Sequence, residues 1–228
     1  MSRYDDVWLV IPAYNEGPVI ADVVKQARTT FPNIVVVDDG STDHCARAIL
    51  DTGAHLLRHP VNLGQGAALQ TGLDYVLAQP DARYIATFDA DGQHQTHDVE
   101  RMVKLLRSGA VDVVLGSRFI GRNGAVPWTK RFVLRTVAIA SPSSRRLRLT
   151  DAHNGLRVLN REAASRLRIT MNGIAHASEI VGFLAASDLR VTEMPVEILY
   201  TSYSRSKGQS LMNGFNVIFD LCVRERQH

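Results

Sequence analysis

The 228-residue sequence predicts an α/β fold, a mostly parallel sheet with helices on both faces, and three observations carry that reading. Short β-rich runs alternate with amphipathic helical stretches through the first half, the rhythm of strand-helix-strand units. The β-rich runs are almost wholly apolar, as strands covered on both faces must be. Hydrophobic residues make up 45% of the chain, enough for one large core, so a single domain spanning 1–228 is expected.

In chain order, strands are predicted at Val7–Ile11, Ile34–Val37, His55–Arg58, Tyr84–Phe88 and Val111–Leu115. Helices are predicted at Val19–Thr30, Asp43–Asp51, Gln65–Ala78 and His97–Ser108, with Pro18, Asp43 and Thr96 as entry signals. Gly53 and Gly109 fall just past helix ends, where a left-handed backbone is often needed. Past Ser117 the rhythm changes. A helical pattern, Trp128–Ala140, breaks at Ser141-Pro142. A strand near Leu156–Leu159, helices at Glu162–Leu167 and His176–Ala186, and a strand at Val191–Met194 follow, then a polar loop, Tyr200–Gln209. The last element, Ser210–Arg224, spaces Leu211, Phe215 and Cys222 as an amphipathic helix would.

Composition excludes several classes. Cys45 and Cys222 lie far apart without metal-ligand spacing, which argues against a disulfide framework or a zinc site. His94, His97, His153 and His176 do not form the spaced pairs of a zinc site either. No apolar run approaches the roughly 18–20 residues of a membrane-spanning helix, and no leader precedes the first strand. A cytoplasmic protein is therefore expected. Between Val113 and Thr150 there is no acidic residue but eight cationic ones, against a net charge of +3 for the whole chain. Such a stretch is either a solvated basic face or a site for an anionic partner, phosphate or acidic lipid. Without a recognised binding motif beside it, nucleic acid is not expected as a partner.

Open parallel sheets bind ligands beyond the carboxyl ends of their strands, so residues just after each strand are the ones to inspect. After the first strand comes Pro12-Ala13-Tyr14-Asn15-Glu16, and after the second Asp38-Asp39-Gly40-Ser41-Thr42-Asp43. Asp38 or Asp39 can accept from a base or a ribose hydroxyl; alternatively the turn caps the next helix. Asn62-Leu63-Gly64-Gln65-Gly66 opens a helix, where its amides can approach a phosphate or simply form a tight turn. The sharpest motif, Asp89-Ala90-Asp91-Gly92-Gln93-His94, comes after the fourth strand. In an extended segment Asp89 and Asp91 point to one side, where they and Gln93 suit a hard divalent cation, Mg²⁺ or Mn²⁺.

Together and in this order, Val10–Glu16, Val37–Asp43, Asn62–Gly66, Asp89–His94 and Gly116-Ser117-Arg118 resemble the family 2 glycosyltransferases, in particular the dolichol-phosphate-mannose-synthase-like branch. The match is close over the first 120 residues or so and looser through Asp151–Arg157 to Arg205. The resemblance implies a GT-A fold, Rossmann-like, with residues 1–120 binding a nucleotide sugar and 121–228 binding the acceptor. It implies that Pro12, Tyr14, Glu16, Val37 and Asp39 hold the nucleoside, and that Asp89, Ala90, Asp91 and Gln93 hold metal and diphosphate. Arg118, Arg131 and Arg205 match family arginines that grip phosphates of donor or acceptor. The implied activity is inverting transfer from a UDP- or GDP-sugar to a polyprenyl phosphate at the inner face of the membrane, where a separate small membrane protein is a plausible anchor.

Two alternatives stay open on sequence. One is transfer to a glycan hydroxyl in the cell envelope, which needs a general base such as Glu179 or Asp151. The other is a non-catalytic nucleotide-sugar-binding subunit. A phosphate acceptor is already ionised and needs positioning rather than a base, which the acid-free basic stretch favours.

Overall fold

A computed structural model describes residues 3–120, 142–173, 175–199 and 203. It contains seven strands, β1 (Val7–Ala13), β2 (Asn33–Asp38), β3 (His55–Arg58), β4 (Tyr84–Thr87), β5 (Val113–Ser117), β6 (Arg157–Asn160) and β7 (Val191–Pro195). The helices are α1 (Gly17–Arg28), α2 (Cys45–Leu50), α3 (Gln65–Leu77), α4 (Thr96–Arg107), α5 (Pro142–Arg146), α6 (Arg161–Arg166) and α7 (His176–Ala186). One sheet runs in the order β3-β2-β1-β4-β6-β5-β7. All pairings are parallel except those of β6, which lies antiparallel to both β4 and β5.

Every residue of β1 is buried, because helices cover both faces. Leu9 and Ile11 enter one core with Ile20 and Val24 of α1, Ile49 of α2 and Met102 of α4. Trp8 and Val10 point the other way, into a core with Leu69 and Leu73 of α3 and Ile180 and Leu184 of α7. The i, i+3, i+4, i+7 spacing of Ile20, Val23, Val24 and Ala27 is what turns one stripe of α1 inward. Each large aliphatic side chain removed from water contributes roughly 1.5–3 kcal/mol. Gly72 lets α3 approach β1, since a Cβ there would come within 2.3 Å of Val10 Cγ1.

Several boundaries differ from the sequence reading. The strand predicted at Val111–Leu115 is displaced to Val113–Ser117, because Asp112 instead binds Arg190 through its backbone and its carboxylate. The helix predicted from Asp43 starts at Cys45, since the Asp43 carboxylate accepts from Cys45 N from outside the helix. Pro142 opens α5 rather than only interrupting a helix, as its fixed φ permits. The left-handed glycines expected at helix ends are present, Gly53 at φ 72° and Gly109 at φ 73°. The predicted helices Trp128–Ala140 and Ser210–Arg224 lie outside the described residues. Among the described residues no helix is long and apolar enough to cross a membrane.

Candidate active site

Chain order reverses at β1, whose neighbours are β2 on one side and β4 on the other, so the crevice opens between the carboxyl ends of β1 and β4. The loop after β1 is fixed by the loop after β2. Asn15 takes a left-handed φ of 53°, its N–H donates to Ser41 Oγ at 2.9 Å, and its Oδ1 accepts from Thr42 N at 2.9 Å. Asp43 Oδ2 receives Gly17 N at 2.9 Å, tying α1 to the same turn. Pro12 and Val37 are paired across β1 and β2, and Tyr14 is exposed at the rim. Glu16 is buried, and the Tyr203 hydroxyl donates to its Oε2 at 2.7 Å. Burial, and then Glu16, push the Tyr203 phenol well above its usual range.

The two aspartates at the end of β2, Asp38 in the strand and Asp39 just past it, do different work. Asp38 is fully buried, accepts from Ser41 N at 3.0 Å and faces Arg58 Nε at 3.1 Å. Asp39 braces the glycine-rich loop: Oδ1 accepts from Leu63 N at 2.9 Å and Oδ2 from Gly64 N at 2.7 Å, while His59 Nδ1 lies 2.7 Å from Oδ1. His59 is held in turn by Thr71 Oγ1 at 2.9 Å. Gly66 N donates to Asn172 O at 2.8 Å. The loop is thus a tight turn whose amides at residues 63, 64 and 66 are committed within the protein, rather than a phosphate cradle.

After β4 the chain turns at Ala90-Asp91 instead of continuing extended, and Gly92 takes φ 75°. Ala90 is buried while Asp89 and Asp91 stay partly open to the crevice. Asp89 Oδ2 lies 2.8 Å from His94 Nε2, and the His94 ring packs edge-on against Phe88. Burial pushes Asp89 up, but His94, Arg157 and His176 outweigh it and hold the carboxyl below its usual value. Asp91 is pushed up to about 6, by burial and by the adjacent Asp89 charge. Gln93 closes the turn: its N–H donates to Asp91 Oδ1 at 3.1 Å and its carbonyl accepts from Leu199 N at 3.0 Å.

Asp89, held charged, and Asp91, whose proton affinity burial and Asp89 raise, are both hard oxygen donors and fit a divalent cation. Among the described residues no three His, Cys, Asp or Glu side chains cage one unaided. Such a donor set suits Mg²⁺ or Mn²⁺ shared with a substrate's phosphates, which complete the shell.

The start of β6 supplies what sequence reasoning missed. Because β6 is antiparallel, the residues preceding it, not those beyond its end, reach the crevice. Gly155 lies so close to Asp89 that a Cβ would come within 2.3 Å of Oδ2. Arg157 is buried and electrostatically coupled to Asp89 and Asp151. A charged residue inside an otherwise apolar strand was the available signal. His176 opens α7, and burial lowers its proton affinity; nothing in the sequence marked it as a site residue.

Arg118, at the end of β5, makes a bidentate pair with Asp151: Nε to Oδ2 at 2.7 Å and Nη2 to Oδ1 at 2.7 Å. Asp151 is buried, which pushes it up, but the Arg118 guanidinium prevails and holds the carboxyl below its usual range. Glu179 accepts from Thr170 N at 3.0 Å and Met171 N at 2.9 Å. Burial pushes Glu179 up, but the Thr170 hydroxyl and those backbone bonds together outweigh it and keep Glu179 low as well. Both candidate bases are therefore weak ones. Arg131 and Arg205 lie outside the described residues.

The profile described as Glycosyl transferase family 2 matches residues 8–168. The chain belongs to glycosyltransferase family 2. It is 33% identical, over 97% of its length and 93% of the other, to the uncharacterized protein MJ1222 of Methanocaldococcus jannaschii. It is 27% identical, over 95% of each chain, to the UDP-N-acetylglucosamine–dolichyl-phosphate N-acetylglucosaminyltransferase of Methanococcus voltae. The undecaprenyl-phosphate mannosyltransferase of Micrococcus luteus is 27% identical, over 91% of this chain and 88% of that one. Among solved structures, glucosyl-3-phosphoglycerate synthase of Mycobacterium tuberculosis, in complex with phosphoglyceric acid, superposes with a TM-score of 0.67 at 19% identity. That match covers 87% of this chain and 72% of the synthase. The same synthase with Mn²⁺, UDP and glucosyl-3-phosphoglycerate gives a TM-score of 0.64 at 18% identity, covering 90% and 75%. The fold of this family 2 chain is GT-A.

Proposed function

We propose that this family 2 chain transfers a sugar from a nucleoside diphosphate sugar to a polyprenyl phosphate, with inversion at the anomeric carbon. The observation that carries the choice of acceptor is the state of the two candidate bases. Asp151 is spent on Arg118 and Glu179 on the Thr170-Met171 backbone, both held below the usual carboxylate range. A sugar hydroxyl needs a proton acceptor near its own working pH, whereas a phosphate monoester arrives ionised. The names of the relatives from Methanococcus and Micrococcus, which act on dolichyl and undecaprenyl phosphates, support the same reading.

In this reading residues 1–120 seat the donor, with Pro12, Tyr14, Glu16 and Val37 around the nucleoside and Asp39 bracing the loop beside it. Asp89, Asp91 and Gln93 would hold a Mg²⁺ or Mn²⁺ ion, which when bound neutralises charge on the departing nucleoside diphosphate. Ala90, buried between the two aspartates, sets the turn that presents them. Arg118, with Arg131 and Arg205, grips phosphate and screens the repulsion between acceptor and donor, so that one in-line displacement can occur. The protein works as a peripheral enzyme at the inner membrane face, and a separate small membrane protein can serve as its anchor.

The test is transfer of radiolabelled sugar from a panel of UDP- and GDP-sugars to undecaprenyl phosphate in detergent with Mn²⁺ or Mg²⁺, wild type against Asp91→Ala. A lipid-linked product that vanishes in the variant and with chelator supports the reading. Label appearing only in a glycan acceptor overturns the choice of acceptor. Donor binding with no transfer to any acceptor points to a binding subunit.

A further inference from the structure

Resting on that reading, we propose that Asp151 and Glu193 are positioning residues, a two-carboxylate relay that fixes the plane of the Arg118 guanidinium for the acceptor phosphate. Glu193 sits on β7, paired with Leu115 of β5, two strand positions before Ser117. Its carboxylate is filled from one direction: Oε2 accepts from Thr150 N at 2.8 Å and Thr150 Oγ1 at 2.9 Å, and Oε1 from Asp151 N at 2.9 Å. Because the Thr150 hydroxyl proton goes to Glu193, Ser117 is the donor in the 2.7 Å contact between Ser117 Oγ and Thr150 Oγ1. Ser117 Oγ in turn accepts from Phe119 N at 3.1 Å. The donors run in one direction, from the end of β5 through residue 150 to β7.

Asp151, held through its backbone by Glu193, then takes Arg118 at three points. These are the backbone N–H at 3.0 Å and the Nε and Nη2 groups at 2.7 Å each. The Asp151 side chain is 2% exposed and that of Arg118 22%, so water does not compete for the pair as it would on an open surface. A carboxylate on the Nε–Nη2 edge sets the guanidinium plane and turns the Nη1 edge the opposite way, an orientation a lysine cannot supply.

Strand cohesion does not explain the relay. The β5–β7 ladder already joins these strands over Val113–Ser117, and a partly buried polar network adds little stability for the desolvation it costs. What the network accomplishes is the orientation of one cation at the carboxyl end of β5.

The experiment compares Asp151→Asn, Glu193→Gln and the milder Thr150→Val with wild type. Kinetically, the KM for undecaprenyl phosphate should rise about tenfold in the first two, the loss of one charge-assisted contact, while the donor KM stays within about twofold. In an Arg118→Lys background Asp151→Asn should add nothing further, because the relay acts only through that guanidinium. A readout independent of the acceptor is the Arg118 Nε–H resonance, assigned by its absence in Arg118→Lys. It should exchange slowly in wild type and merge with the exposed arginines in Asp151→Asn and Glu193→Gln. An unchanged resonance in Glu193→Gln, or donor and acceptor KM rising together, overturns the relay. Wild type that labels no lipid while the resonance behaves as expected overturns the acceptor reading and leaves the relay standing.

Discussion

Replacing Gly155 with alanine should disable the enzyme while leaving it folded. The added Cβ would stand 2.3 Å from Asp89 Oδ2, 2.6 Å from Oδ1 and 2.7 Å from Cγ. Retreat to even 3.0 Å, the closest that Cβ contacts ordinarily come, requires the Oδ2 atom to move about 0.7 Å. Asp89 cannot move freely, because His94 Nε2 holds the same oxygen at 2.8 Å, and the Gly155 carbonyl is itself pinned by Thr87 Oγ1 at 2.6 Å. The clash falls on a short side chain at the rim rather than on backbone, so the fold should absorb it. A displacement approaching 1 Å at a group that orients reacting atoms costs on the order of 10²-fold in rate, about 2.7 kcal/mol in the barrier. The assay pairs kcat/KM for sugar transfer with a thermal melt, and the expected outcome is a loss near a hundredfold with Tm shifted by no more than about 4 °C. Wild-type turnover in Gly155→Ala would refute the reasoning, since Asp89 would then tolerate a displacement that its role forbids. An equal collapse of Tm would place the clash in the fold instead of the site.

Two further predictions concern stability. Asp112 is pulled down to about 2, chiefly by its bonds to Arg190, from an unfolded-state value of about 3.9. The pair therefore contributes fully above about pH 4 and is lost as pH falls toward 2, worth about 1 kcal/mol once screening around the half-exposed Arg190 is allowed for. Urea unfolding of wild type and Asp112→Asn should show a gap at pH 6 that narrows steadily as pH falls toward 2; a constant gap contradicts it. Gly66→Ala, at a helical position where alanine ordinarily gains up to about 1 kcal/mol, should instead lower stability by about 1–3 kcal/mol. Its Cβ would meet the backbone oxygen of Met171 at 2.0 Å, which a side-chain shift cannot relieve; a raised Tm would show that the two loops separate easily.

Much of the sheet was legible because local patterns determine it. The run His55–Arg58 and the helix His176–Ala186 coincide with the sequence reading to the residue, the first bounded by turns and the second by its apolar spacing. The strand β5 was misplaced by two residues because Val111 looks like strand, while the fate of Asp112 depends on Arg190, a partner 78 residues away. The reversed direction of β6 was invisible for the same reason: pairing partners are a property of the whole chain. At the site, the loops after β1, β2 and β4 were legible because a parallel strand delivers the residues past its carboxyl end to the crevice. That regularity passes over Gly155, because an antiparallel strand delivers to the crevice the residues that precede it. It also left Asp151 open as a base, since its pairing with Arg118 spans 33 residues and turns a free acid into a committed one.

The reversed strand has a consequence for how this scaffold can change its chemistry. Leu115 near the end of β5 stands opposite Arg157 at the start of β6, so the chain leaves the sheet and rejoins it at one rim, beside Asp151 and Asp89. Because Ser117 and Arg157 anchor the two ends of the connection at that rim, its length can change without altering a strand register. On the proposed reading, a change of acceptor can thus leave the parallel pairings of β1 with β2 and β4, which seat the donor, as they are.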